Sequence, residues 1–147
     1  MIMESDAAKA ERLASRRARM LPVLAILFLG QQASYFSGWD GDRAVDHVRV
    51  SAWIVLSIVL LLALTTGGGW IYSKQVRDLA NDESTRAHRA DAFQWGFVAA
   101  MSGCILMYGI SLFEPVGGRE AVHVVMTLGI ATALVRFGWM ERRAARD

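Results

Sequence analysis

A single cysteine, Cys104, and two prolines, Pro22 and Pro115, stand in 147 residues. One cysteine excludes an intrachain disulfide and a cysteine-rich metal site. Inside an apolar run it reads as a small buried hydrophobe. Neither proline interrupts a long apolar run. Pro22 falls in the first turn of one, where a missing N–H costs little, and Pro115 falls in a turn. No HExxH pattern, phosphate-cradling glycine loop or nucleophile–base pair occurs. The residues therefore assign no catalytic, cofactor-binding or metal-ligating role, and an enzyme is not expected. A formal net charge of +2 is too small to argue for direct binding of nucleic acid.

Charge is also missing where it matters most. Four apolar runs, at about residues 20–36, 50–72, 93–113 and 121–140, contain no Asp, Glu or Lys. Each approaches or reaches the roughly 17–25 residues that cross a bilayer as helix. The chain is 54% hydrophobic, and its charges fall between the runs rather than along one face of each. A soluble helix needs a polar face, so this segregation points to a lipid-solvated protein. The expected fold is all-α: a polytopic four-transmembrane-helix bundle forming one integral membrane domain over residues 1–147.

Trp39, Trp53, Trp70, Trp95 and Trp139 all fall near the ends of these runs. That placement suits the membrane interface, where the ring is buried and the N–H hydrated. Orientation follows from the basic residues. Lys9, Arg12, Arg16, Arg17, Arg19, Lys74, Arg77, Arg86, Arg89, Arg142, Arg143 and Arg146 share one side. Only Arg43, Arg49 and Arg119 are on the other, and Arg136 lies within the fourth run. The positive-inside rule puts the first group in the cytoplasm, so both termini are expected inside and the protein in the cell inner membrane. Ser15-Arg16-Arg17 is similar to a twin-arginine export signal, but Arg19 stands where an apolar residue is wanted and no small-residue cleavage site follows. The Ala-, Glu- and Arg-rich stretch 7–20 is a good helix former, extending the first span or lying on headgroups.

Helix association in lipid depends on close packing through small residues. Gly96, Ala100 and Gly103 on the third span and Gly129 and Ala133 on the fourth form such ridges, and predict that these two spans meet. The second span, rich in Leu, Ile and Val, is expected to face lipid; Gly67-Gly68-Gly69 after it suggests a bend or a close backbone approach. Gln31 and Gln32 read as interhelical glue rather than a polar path. Arg136 reads as a snorkelling anchor with no embedded acid to pair with it. His47, His88 and His123 are all expected near surfaces. Asp40, Asp42, Asp46, Glu114, Glu120 and the histidines of the outer face have no metal-site spacing.

The second loop is dense in charge from Lys74 to Asp91 and carries one turn signal, Asn81-Asp82. Helix two is expected to continue to Ala80, with Asn81 or Asp82 capping a helix that starts near Glu83. A charged hairpin would then project from the membrane, and Asp82, Glu83, Arg86 and Arg89 are its candidate partner-binding residues. The alternative is a well-capped, solvated loop. The string Asn81-Asp82-Glu83-Ser84-Thr85-Arg86-Ala87-His88-Arg89, ahead of an Ala/Gly-rich span, resembles a group of small uncharacterised bacterial four-helix membrane proteins with an Asp-Glu-x-Thr-Arg motif in that place. The likeness covers about ten residues and the four-span layout. Members are often encoded beside a helix-turn-helix regulator. The resemblance thus implies a regulatory partnership and supplies no catalytic residues. The sequence reading is a non-catalytic inner-membrane regulatory protein whose cytoplasmic hairpin binds a soluble partner, such as a transcription regulator. Its rival is a small transporter or channel subunit, and a homo-oligomer fits either.

Overall fold

The structure, a computed structural model, describes residues 6–36, 44–67, 74–144 and 146. Trp39, Trp70, Asp40, Asp42, Gly68, Gly69 and the side chains of Ser34 and Asp46 lie outside what is described. Five helices and no strand occur among the described residues: α1 (Asp6–Phe36), α2 (Ala44–Thr66), α3 (Lys74–Ala80), α4 (Glu83–Ser111) and α5 (Gly118–Ala144). Three are long and apolar enough to cross a membrane, namely His47–Thr66 within α2, α4 and α5. The chain is thus a multi-pass helical membrane protein. Ile54, Val55, Ile58, Val59, Leu61 and Leu62 of α2 are all exposed, a face that only lipid solvates without cost.

Helix α5 is the axis of the bundle. On one side it meets α4 antiparallel through small residues. A Cβ built on Gly96 would stand 2.8 Å from the Gly129 carbonyl oxygen and 2.9 Å from the Ala133 Cβ. One built on Gly129 would meet the Ala100 Cβ at 3.2 Å, and one on Gly103 the Leu128 Cδ1 at 3.0 Å. The backbones approach this closely only because those side chains are absent or short.

On its other side α5 packs along α1, also antiparallel. Pro22 is the telling residue here. It stands inside the 31-residue α1 rather than in a first turn, because the helix already begins at Asp6. A proline in a helix interior leaves the carbonyl four residues back without its N–H partner. That carbonyl belongs to Ala18, and Arg142 of α5 donates to it from Nε at 3.0 Å. The ring itself fills the notch at Gly138, where an added Cβ would lie 2.9 Å from the proline Cγ and Cδ. A kink-prone position is thus absorbed by the neighbouring helix.

The second loop differs from the continuous hairpin its composition suggests. Helix α2 ends at Thr66, and Gly67 turns the chain with φ +73, a left-handed conformation that glycine adopts without steric cost. Helix α3 is a separate element laid against α1, with Val76 buried against Ala10 and Leu13. The buried Val76 ties this short, largely polar helix to α1.

Each long helix carries one inward stripe at helical spacing. On α1 it runs Arg17, Leu21, Ala25, Phe28, Gln32; on α2, Trp53, Ser57, Leu60, Leu64; on α5, His123, Thr127, Ile130, Leu134, Phe137, Glu141. The apolar members of these stripes form one core with Ala92 of α4. The ends of the α1 and α5 stripes are polar, and they carry the chemistry.

Candidate functional site

The polar end of the bundle nearest the start of α1 is a closed ionic knot. Arg17 and Glu141 have side chains only 5% and 6% exposed, and they meet directly. Arg17 Nε donates to Glu141 Oε2 at 3.0 Å and Nη2 donates to the same oxygen. The other carboxylate oxygen, Oε1, accepts from the Thr85 hydroxyl at 3.3 Å and lies 3.1 Å from His88 Nδ1. An ionised carboxylate only accepts, so Nδ1 carries the proton in this contact. Thr85 also accepts from Arg17 Nη2 at 3.1 Å, and Asn81 Oδ1 accepts from Nη1 at 3.2 Å. The guanidinium lies 5.4 Å from the centroid of the Phe137 ring. Burying two charges costs several kcal/mol per ion, and only such full engagement of lone pairs and N–H groups offsets it.

Around the knot, charged residues close the ends of helices. Asp82 caps α4: its carboxylate accepts from the Thr85 backbone N–H at 2.8 Å and from the Ser84 hydroxyl. That backbone N–H is the main reason the Asp82 carboxyl is held below its ordinary pKa. Arg89 Nη1 donates to the Thr65 carbonyl at 2.9 Å, and the Asn81 amide makes a long 3.5 Å contact to Thr66 O. Two of the last carbonyls of α2 are thereby satisfied, one by a cation that suits a helix C-terminus. Arg86 Nε donates to Asn81 O at 3.2 Å.

Of the four residues expected to bind a partner, Asp82 and Arg89 are therefore spent on architecture, and Arg86 is partly so. Glu83 is exposed, with no hydrogen bond or ion pair among the described residues. The acidic–basic string reads as an internal joint whose outer edge is Glu83 and Arg86.

Arg136 is not the unpaired anchor its surroundings in the sequence suggest. Its Nε donates to Asp91 Oδ2 at 2.7 Å, because α4 begins at Glu83 and carries Asp91 into the third turn beside α5. His123 is also displaced from its expected surface, and Trp53 is buried beside it. They are 3% and 7% exposed and stack at 4.0 Å between ring centroids.

This stack belongs to a second polar region at the other end of the core. The antiparallel register that sets Pro22 beside Gly138 carries Gln32 to the level of Leu128, next to Thr127. Thr127 is one turn from His123, and Ser57 one turn from Trp53 in the same direction. Gln32 is buried while Gln31 is half-buried. Among the described residues, the Gln32 amide, the Trp53 Nε1, the Ser57 hydroxyl and the Thr127 hydroxyl are buried without a hydrogen-bond partner. No group of three or more metal-ligating side chains occurs among the described residues. No protein-family model, curated protein or solved structure matches this chain.

Proposed function

We propose that this is a non-catalytic regulatory protein of the bacterial inner membrane, with four spans and both termini in the cytoplasm. Its cytoplasmic face, built on the ionic knot, docks a soluble partner. The carrying observation is the Arg17–Glu141 pair with its Thr85 and Asn81 ligands. It joins α1, the start of α4 and the end of α5 at one end of the bundle, where twelve of the sixteen basic residues belong by sequence. The packing of α1 along α5 supports α1 as the fourth span, since Leu21, Ala25 and Phe28 enter the same core as Ile130, Leu134 and Phe137. The knot fixes that face, and Glu83 and Arg86 stand on its edge as exposed charges of opposite sign. The likeness to small bacterial proteins encoded beside regulators supports a transcription regulator as the partner.

Single cysteines test the orientation in a Cys104→Ala background. Ser84→Cys should react with an impermeant thiol reagent only after the membrane is opened, and Gly118→Cys in intact cells. For docking, Glu83→Lys and Arg86→Glu should abolish capture of the partner while leaving thermal stability nearly unchanged, because exposed charges contribute little to folding. Equal capture by both variants and wild type rejects the docking face.

A second reading, as a small transporter or channel subunit, is favoured by the buried neutral layer of Gln32, Ser57 and Thr127. Polar groups inside a membrane bundle often mark solute paths. The apolar core between that layer and the knot opposes it, and a flux assay in proteoliposomes separates the two.

A further inference from the structure

We propose that a groove along α5 is a binding site for one anionic phospholipid, held by its acyl chains and by Arg136 at the phosphate. The groove has a volume of about 610 Å³ and lies between α1 and α4, with Leu29, Leu128 and Val135 on its walls. Arg136, Trp139 and Trp95 line the part nearest the knot. From Leu128 to Trp139 it follows α5 for about 16 Å, eleven residues at the helical rise. Helices α4 and α5 are both long and apolar enough to cross a membrane, so the occupant comes from the bilayer.

The chemistry of the groove selects a lipid with a charged head. Its walls are apolar apart from Thr132, Arg136 and the indole N–H groups. Arg136 engages Asp91 through Nε alone and lies 5.7 Å from the Trp95 ring centroid. No hydrogen bond among the described residues uses its Nη1 or Nη2, and its side chain is 41% exposed. A guanidinium with two N–H edges to spare matches the oxygens of a phosphate. The two exposed tryptophans, Trp95 and Trp139, suit the headgroup boundary. Asp91 tempers the site, since its carboxylate repels the phosphate it helps to orient. Which leaflet supplies the lipid rests on the orientation proposed above; the groove itself does not, so a reversed orientation leaves the following measurements unchanged.

The test uses the purified full chain in detergent, with lipid retention read by native mass spectrometry and thermal stability alongside. Wild type should retain one phosphatidylglycerol about tenfold more tightly than a phosphatidylcholine of the same chains, the scale of charge-assisted hydrogen bonds. Arg136→Gln should abolish that preference, Arg143→Gln should preserve it, and Asp91→Asn should strengthen it. The last variant separates lipid binding from a structural ion pair, because loss of a structural pair would act alike from either side. Val135→Trp, which fills the groove and keeps Arg136, should lose both lipids. Equal retention of the two lipids by wild type overturns the site, as does a preference that survives Arg136→Gln. Retention unchanged by Val135→Trp does the same. Stabilisation by inorganic phosphate equal to that by phosphatidylglycerol would make it an anion site and reject the lipid.

Discussion

Helix α5 buries polar groups twice, roughly 21 Å apart along its axis, and the two regions are built on opposite principles. At Glu141 the groups are charged and mutually engaged: both carboxylate oxygens are occupied, and Arg17 reaches Glu141, Thr85 and Asn81 together. At Thr127 they are neutral, and the side chains of Gln32, Ser57 and Thr127 find no hydrogen-bond partner among the described residues. A buried charge is tolerated only with a full complement of partners, whereas a neutral hydroxyl costs about 1–3 kcal/mol when left alone. The charged region therefore works as a joint that ties α1 to the ends of α2 and α5 and to the start of α4. The neutral region adds little to stability and is open to other uses.

The largest effect should come from removing half of the joint. Glu141→Ala leaves Arg17 buried and uncompensated and should cost about 3–5 kcal/mol in detergent unfolding. Asn81→Ala removes one partner of Arg17 and the contact to Thr66 O, and should cost about 1–3 kcal/mol. In the neutral region the same logic reverses sign. Ser57→Ala and Thr127→Val remove isolated buried hydroxyls and should be neutral or raise stability by about 1 kcal/mol. A loss of several kcal/mol at either position would show that the layer is engaged after all.

A smaller test concerns the cap at the edge of the joint. Asp82→Ala should cost about 1 kcal/mol at neutral pH, measured as a shift in unfolding midpoint. The Asp82 carboxyl is held low in the folded chain by the Thr85 N–H. Its contribution is therefore full above the ordinary carboxylate pKa of about 3.9 and is lost as pH falls from there through the folded value. The gap between wild type and variant should close in that acidic window and stay constant above it.

Three spans and the contact of α4 with α5 were legible in the sequence, because apolar length and small residues at helical spacing are local signals. The joint was not, since Arg17 and Glu141 are 124 positions apart. Each sits among other charges, where a solvated role is the natural reading. A usable signal existed nonetheless. Extending the inward stripe of α5 from His123 through Ile130, Leu134 and Phe137 lands on Glu141, and that of α1 from Phe28 through Leu21 lands on Arg17. Charges continuing a buried face are candidates for pairing. The same extension in the other direction reaches Gln32, Ser57 and Trp53, and would have moved His123 off the surface. The separate α3 was hidden by a composition that suits one continuous helix, broken only at the glycines.

The contrast between the two regions is tested most directly by a pair of double-mutant cycles on unfolding stability. One joins Arg17→Met with Glu141→Leu, the other Gln32→Leu with Thr127→Val. A coupling of about 3 kcal/mol is expected in the first, with the double variant recovering much of what Glu141→Leu loses, and a coupling within about 0.5 kcal/mol of zero in the second. Additive behaviour of Arg17 and Glu141, or strong coupling of Gln32 with Thr127, would contradict a paired charged joint opposite an unengaged neutral layer.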